Sequence, residues 1–475
     1  MFSLIATNRY VYLKGADIRT TTLLDRVSSY KVAGAEYTEG FRRKRWDGKE
    51  HLLKLHSASG RYRAPIGLLE DFRVYLNEKG IDHRVIYDRR KMHPKVDYKW
   101  DPTFIPRPYQ NDAEAAIIGC EYKSGILKMP IRSGKTKTCG RIIYRLKRKS
   151  LFIVPSQLLL YQTQKALAEV LQVEVGIIGD NEWIERDVTV ASIQTLIHRR
   201  GNTERSMTAE YKRLTRSYDL VVFDECHHLK GEAWRKVMLD MDAPYKIGLS
   251  ATAYLDLESE CERGVIWLKG CCGNIRHEVP TSELIEEGYL MRPHIWLYRM
   301  DGEEQHPYGW NAKLLKELIH QNTRRNQKIA DVAHELVHRG LNVLIITNRL
   351  RQAQMIGRML KLKDISFTII VGNTKKEDRE RRLEAFRTGK AKVLIGTVFG
   401  EGIDIPEMET VINAEGGKDV KATVQRMRNL TPHDGKTDAI FVDFMDLTNK
   451  YTAQHSLQRL QTYRSEPAFR FEIKD

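Results

Sequence analysis

The sequence predicts an α/β chain in which two successive parallel-sheet lobes follow a small α+β N-terminal domain. Three observations predict it. After residue 120, apolar runs recur, each followed by small or polar residues and then a helical pattern, the alternation of a doubly wound parallel sheet. One of these runs, Val221-Val222-Phe223, ends abruptly in Asp224 and Glu225. A buried parallel strand directs its C-terminal end toward the ligand crevice, so two adjacent acids there suit a magnesium nucleotide. The first hundred residues lack this rhythm, with short alternating runs flanking one helical pattern.

Composition bounds the partners. A chain of 475 residues exceeds one hydrophobic core, and roughly two to four domains are expected. The boundaries read as an N-terminal domain over 1–98, a first lobe over 99–290 and a second over 291–475 with a C-terminal helical tail. Hydrophobic residues make up 41% and charged residues 29%, the balance of a soluble globular protein. A net charge of +16 and a pI near 9.4 favour a polyanionic partner, nucleic acid first. The six cysteines form no Cys-x-x-Cys pair, which disfavours structural zinc and fits a reducing, cytoplasmic setting. Met1 to Tyr10 lacks a signal-peptide profile, and no apolar run approaches the roughly 20 residues of a membrane helix, so no membrane partner is expected.

The N-terminal elements come first. Alternating runs over Ser3 to Leu13 and His83 to Tyr87 predict strands, and Ile66, Leu69, Phe72, Tyr75 and Leu76 predict a helix. Between them, Phe41 to Lys49 interleaves cations with aromatics, with Arg61 and Arg63 following. Arg43, Arg45 and Trp46 are candidate nucleic-acid contacts, through phosphates and base stacking. The plainer reading is a solvated basic loop, and for Trp46 taken alone a place in a small core is favoured. From Asp88 to Pro108 the charged, proline-bearing stretch reads as a linker. It delivers Arg107-Pro108-Tyr109-Gln110 ahead of a helix, and a glutamine amide can pair with the N6 and N7 edge of adenine.

The first lobe then opens. Within Met129 to Thr136, Gly134-Lys135-Thr136 is the end of a phosphate loop, with Lys135 for phosphate oxygens and Thr136 for Mg²⁺, although a bare Gly-Lys-Thr often occurs by chance. The first glycine of the usual pattern is replaced by Met129. Strand runs follow at Leu151 to Val154, Val188 to Ala191, Leu220 to Phe223 and Ile247 to Leu249. Their ends carry Pro155-Ser156, Gln194-Thr195, Asp224-Glu225 and Ser250-Ala251-Thr252. A second series, at Val343 to Ile346, Phe367 to Val371, Val393 to Ile395, Thr410 to Ile412 and Ala439 to Val442, has no phosphate loop.

Taken in order, these motifs, with Gly396-Thr397 through Gly402-Ile403-Asp404-Ile405-Pro406 and then Gln425-Arg426, resemble the series of superfamily 2 helicases and translocases. The match is closer to the UvsW-type branch-migration helicases of tailed phages. There it extends to Phe41 to Gly48, Thr281 to Gly288 and Arg325-Asn326. The resemblance implies two RecA-like lobes with ATP between them. Lys135, Thr136, Arg132, Ser133 and Gly134 would hold phosphate, Thr136 and Asp224 the metal, and Glu225 would be the general base. Gln110 would read adenine with Arg107 in support. Gly402 and Asp404 would face the nucleotide, and Ser250 and Thr252 would couple it to strand grip. Pro155, Ser156, Thr195, Asn348, Gly372 and Thr397 would touch the nucleic-acid backbone. The last motif departs from the family pattern, reading Gln425-Arg426-Met427-Arg428-Asn429. Arg428 is favoured as the arginine finger, with Arg426 close behind and Gln425 beside them; such an arginine is worth ~10³ or more in rate. The implied activity is ATP-dependent unwinding or branch migration of forked and four-way DNA by a monomeric motor, in phage recombination, repair and replication. The rivals are an RNA helicase and a junction-binding protein with an impaired motor.

Overall fold

The computed structural model describes residues 2–32, 34–130, 132–251, 263–300, 316–372, 374–397, 408–417, 432, 436 and 439–474. The chain forms two compact units, Met1–Pro130 with Gly134–Val279, and Pro280–Asp475 with 131–133.

The first unit holds two principal sheets. The N-terminal sheet runs in the order Lys54–His56, Arg61–Pro65, Tyr10–Lys14, Ser3–Ala6 and Arg84–Tyr87. Its pairs are antiparallel except the last. The expected alternation holds: Leu4, Ala6, Val11 and Leu13 are buried on one face. The predicted helix is Leu69–Glu78, which buries Leu69, Phe72 and Leu76, one stripe at helical spacing. Ile266 and Trp267 of the Arg263–Cys272 helix complete this core. The N-terminal domain is therefore docked on the larger sheet through shared apolar contacts. A polar rim reinforces the joint: Arg276 pairs with Glu70 at 3.0 Å, and Arg9 Nε donates to the Leu239 carbonyl at 2.8 Å.

The expected linker is a strap. It has no helix or strand between Asp88 and Arg107, yet it is pinned along its length. Val96 N–H donates to the Lys147 carbonyl and Asp101 N–H to that of Val170, both at 3.0 Å. Tyr98 is buried and its hydroxyl donates to the Arg148 carbonyl at 2.9 Å.

The larger sheet has eight strands in the order Glu182–Ile184, Gly176–Gly179, Val188–Ser192, Ser150–Val154, Leu220–Phe223, Tyr245–Ser250, Gly125–Lys128 and Ile275–Glu278. Only the first pair is antiparallel. The register aligns Val154 with Ser192, Phe223 with Ile153, and Ser250 with Lys128. The predicted motif positions thus emerge along one edge of a sheet whose central strands are fully buried.

The second unit is one all-parallel sheet of seven strands: Phe367–Ile370, Val393–Gly396, Val343–Ile346, Thr410–Asn413, Ile440–Asp446, His294–Met300 and Arg470–Lys474. Helices Thr323–His338 and Leu350–Lys361 pack against it, burying Ile329, Ala333, Leu336, Ile356 and Leu360. The tail expected to be helical is the helix Lys450–Arg464 followed by the edge strand Arg470–Lys474.

Candidate active site

The phosphate loop leaves the Gly125–Lys128 strand and enters the helix Lys135–Leu146. Arg132 (φ 70) and Gly134 (φ 77) both sit in the left-handed region, turning the backbone into the helix. Gly134 has a second reason to lack a side chain: a Cβ there would lie 2.6 Å from Gln110 Nε2. Met129 is buried outside the left-handed region, its N–H donating to the Ser250 carbonyl at 3.0 Å. Its position therefore demands no glycine, which explains the departure from the usual pattern. Ser133 is buried, and Lys135 and Thr136 form the first helical turn. The free N–H groups of that turn and the helix dipole make an anion cradle.

Gln110 is 3% exposed and lies against this loop. Its Oε1 accepts the Arg107 N–H at 3.0 Å, while the Arg107 guanidinium donates to the Tyr109 hydroxyl at 3.0 Å. The helix Pro108–Gly119 thus fixes the amide from its first turn.

Asp224 and Glu225 follow the Leu220–Phe223 strand. Glu225 adopts φ 48, left-handed for a non-glycine residue, and its N–H donates to Asp224 Oδ1 at 3.0 Å. Lys135 Nζ lies 3.6 Å from Glu225 Oε1, each side chain being 12% exposed. His227 Nδ1 lies 3.3 Å from Glu225 Oε2 and 3.1 Å from Ser250 Oγ. Burial pushes the Glu225 carboxyl up, but the Lys135 charge, followed by the bond and charge of His227 and the charge of His228, outweighs it and brings the group down to about 2. Glu225 is therefore ionised at neutral pH. His227 is the residue that sequence reasoning left without a role. It joins the candidate base to Ser250, at the end of the strand beside it. The available signal was its spacing of two residues from Glu225.

The structure gathers Gln110, Gly134, Lys135, Glu225 and Ser250 around the phosphate loop and the adjoining strand ends. The donor set fits a magnesium nucleotide: an anion cradle, an ammonium, a hydroxyl and two carboxylates. Thr252, Gly402, Asp404, Gln425, Arg426 and Arg428 lie outside the described residues.

The strand-end residues proposed to touch nucleic acid fall into two groups, one in each unit. In the first unit, Pro155 and Ser156 follow Ser150–Val154, and Thr195 lies just beyond its neighbour Val188–Ser192. Gln194 Nε2 ties the pair by donating to the Pro155 carbonyl. Ser156 caps the helix Gln157–Leu171, its Oγ accepting from Leu159 N–H. In the second unit, Asn348, Gly372 and Thr397 follow three adjacent strands, with Asn348 and Gly372 exposed. On the N-terminal domain, Arg43 and Arg45 are exposed, Arg43 pairing with Glu39 at 2.6 Å. The favoured core placement of Trp46 does not hold. The ring is half-buried, its N–H donates to the Lys49 carbonyl at 2.6 Å, and it lines an open groove with Phe41, Arg42, Lys44 and Arg45. The domain's core is already closed by Leu68, Leu69, Phe72 and Trp267, so the loop stays outside it.

Residues 103–255 match the family model of the type III restriction enzyme res subunit, and 327–428 that of the helicase conserved C-terminal domain. The chain is of the superfamily 2 helicase type. Its two large parallel sheets are the RecA-like lobes of that type. It is 26% identical over 392 residues to the DNA 3'-5' translocase XPB2 of Sulfurisphaera tokodaii, covering 74% of this chain and 83% of that protein. It is 25% identical over 386 residues to the probable helicase D10 of Escherichia phage T5, covering 78% and 77%. Of three further relatives it spans only 47% to 58% of their length. The crystal structure of T4 UvsW is similar over 100% of this chain and 99% of that one, with 19% identity and a TM-score of 0.45.

Proposed function

We propose that this superfamily 2 helicase is an ATP-dependent DNA motor that unwinds or branch-migrates forked and four-way DNA. The observation that carries the reading is the ionised Glu225 held between Lys135 at 3.6 Å and His227 at 3.3 Å, beside the left-handed Gly134 loop. A phosphate-binding lysine, a base and a relay to Ser250 are what nucleotide hydrolysis coupled to movement requires. Lys135 and the first-turn N–H groups bind phosphate, and Thr136 with Asp224 holds Mg²⁺. The bound ion would neutralise charge developing on the phosphoryl oxygens. Glu225 orients a water and takes its proton, Gln110 with Arg107 receives adenine, and Gly402 and Asp404 serve the nucleotide from the second lobe. Arg428, or Arg426, is the arginine finger, with Gln425 beside it.

DNA is favoured as the track by the net charge of +16, by the groove where Arg42, Lys44 and Arg45 surround the half-buried Trp46, and by the exposed Arg43 beside it. The similarity to a translocase and a phage helicase supports the same reading. Backbone contacts at Pro155, Ser156, Thr195, Asn348, Gly372 and Thr397 make binding salt-sensitive and weakly sequence-selective. A phage-encoded motor of this kind works in the host cytoplasm, in recombination, repair and replication.

The test gives parent protein and Lys135→Ala ATP and Mg²⁺ with labelled forks, four-way junctions and matched RNA duplexes. ATP-dependent dissociation of branched DNA by the parent alone is expected. Hydrolysis stimulated only by RNA would remove the DNA assignment. Junction binding without hydrolysis by either protein would remove the motor.

A further inference from the structure

The N-terminal sheet has a second face. Leu4, Ala6, Val11, Leu13 and Ala64 point into the core, so the residues between them share the opposite side. The strand registers set which of these stand together. Lys54 lies opposite Arg63, Arg63 opposite Tyr12, and His56 opposite Arg61. Lys14 lies opposite Ser3, and Ser3 beside Arg84. Side-chain contacts follow the same rows. Arg63 donates to the Tyr12 hydroxyl at 3.3 Å, Tyr12 meets His56 edge to face at 5.9 Å, and Arg84 donates to Ser3 Oγ at 3.0 Å.

One face thus gathers five cations: Lys14, Lys54, Arg61, Arg63 and Arg84. Arg63 is half-buried and the other four are exposed. No strand position on this face holds a carboxylate, and none of the five pairs with a carboxylate of a described residue. Like charges directly opposite each other in a ladder, as Lys54 and Arg63 are, cost stability. A polyanion laid across the strands would relieve that cost.

The aromatics add a second property. The Arg63 guanidinium sits 4.1 Å from the centroid of the Tyr10 ring, and Tyr10 meets Tyr12 edge to face at 6.3 Å. The ring on one side and the Tyr12 hydroxyl on the other pin the guanidinium in place. Unpaired bases stack on aromatic rings and on guanidinium planes, whereas a duplex keeps its bases inside and offers phosphates. Cations interleaved with a fixed arginine–tyrosine stack therefore suit a single strand better than a duplex. The face shares no residue with the Trp46 groove.

We propose that this outer sheet face binds single-stranded nucleic acid, with phosphates on Lys14, Lys54, Arg61 and Arg84 and unpaired bases stacked at Arg63, Tyr10 and Tyr12. The inference rests on the reading above, in which the strand is DNA: a motor that parts strands needs a place for an unpaired one.

The test measures binding of the full-length parent, Lys54→Ala/Arg61→Ala and Arg63→Lys to labelled oligothymidylate, to an abasic oligomer of equal length and to a blunt duplex, across a salt series. Circular dichroism on heating checks folding. Two lost phosphate contacts should reduce the slope of log K against log salt for oligothymidylate by about 1.4. Arg63→Lys keeps the charge and loses the planar stack, so it should weaken oligothymidylate about 5-fold or more and leave the other two ligands near the parent. An unchanged slope in the double variant overturns the proposal. So does an equal loss on all three ligands in Arg63→Lys, which would make the face a phosphate surface alone. Should Arg63→Lys unfold, Tyr10→Leu decides by the same comparison. Hydrolysis stimulated by RNA alone would refute the DNA reading instead, and the same variants against oligouridylate would still decide whether the face holds a single strand.

Discussion

Replacing Glu225 with glutamine separates the chemistry of the site from its architecture. The amide keeps the shape of the side chain but cannot take a proton from water. Loss of a positioned general base costs about 10²- to 10⁴-fold in turnover. The structure also sets a stability effect. Lys135 at 3.6 Å gives a gross attraction of roughly 4 to 5 kcal/mol at an effective dielectric of 20. The carboxyl falls from its ordinary 4.5 to about 2, so attraction exceeds the burial cost by about 3 kcal/mol at 1.36 kcal/mol per unit. Because the folded value is depressed, this contribution is present above about pH 4.5 and is lost as pH falls toward 2. Glu225→Gln should therefore unfold at lower urea at pH 7 and lose less than the parent on acidification. The assays are steady-state hydrolysis, nucleotide binding and urea unfolding at pH 7 and pH 3. Turnover within about tenfold of the parent, with nucleotide binding intact, would refute Glu225 as the base.

Lys246, buried in the strand Tyr245–Ser250, has its amine pulled down to about 8 by burial, and its Nζ has one long bond, 3.4 Å to the Met238 carbonyl. The unfolded chain holds that proton more tightly, so the cost is full below about pH 8 and vanishes as pH rises toward 10.5. Lys246→Met should raise the free energy of urea unfolding at pH 7 by up to about 3 kcal/mol and give no gain near pH 10.5; equal gains at both would contradict this account. Gly67→Ala places a Cβ 1.9 Å from the Lys269 carbonyl, 2.7 Å from that of Gly270 and 2.8 Å from the Gly273 nitrogen, all backbone atoms. Overpacking of this kind costs about 1–3 kcal/mol or more, so the N-terminal domain should become the first part cut in limited proteolysis; an unchanged cleavage pattern and urea midpoint would show that the joint yields.

The central sheets are legible in the sequence because a parallel strand covered on both faces reads as a continuous apolar run. Leu220–Phe223 and Val343–Ile346 fall where those runs predict. His294–Met300 and Arg470–Lys474 escape notice because the former mixes polar and aromatic residues and the latter is a charged edge strand. The strap over Asp88 to Arg107 reads as a linker because its prolines and charges are local. What pins it is remote: backbone partners at Lys147 and Val170. The positions of Lys135 at a helix start and of Asp224 and Glu225 at a strand end are legible because short motifs mark them. The His227–Ser250 contact spans 23 residues and depends on the parallel register of two strands, which no local pattern encodes. The buried ion pairs of Asp443 with Arg459 and of Asp446 with Arg325 are hidden for the same reason, the arginines lying 16 and 121 residues away.

The contacts of Glu225 also bear on when it acts. A carboxylate held down at about 2, as the proposed base is, is a weak proton acceptor at neutral pH. Among the groups that hold it there, Lys135 comes first, and Lys135 is also the lysine proposed above to bind phosphate. An anion that draws Lys135 away removes that influence, and burial then pushes the carboxyl upward, toward the range of a useful base. His227 remains bonded to Ser250 and keeps the carboxylate oriented as its basicity rises. On the proposed function, the Glu225 carboxyl would thus rise when an anion occupies Lys135. The Lys135→Ala protein carries the test, since its Glu225 carboxyl should titrate above that of the parent when followed by NMR. A carboxyl still near 2 in that variant would assign the restraint to the histidines instead.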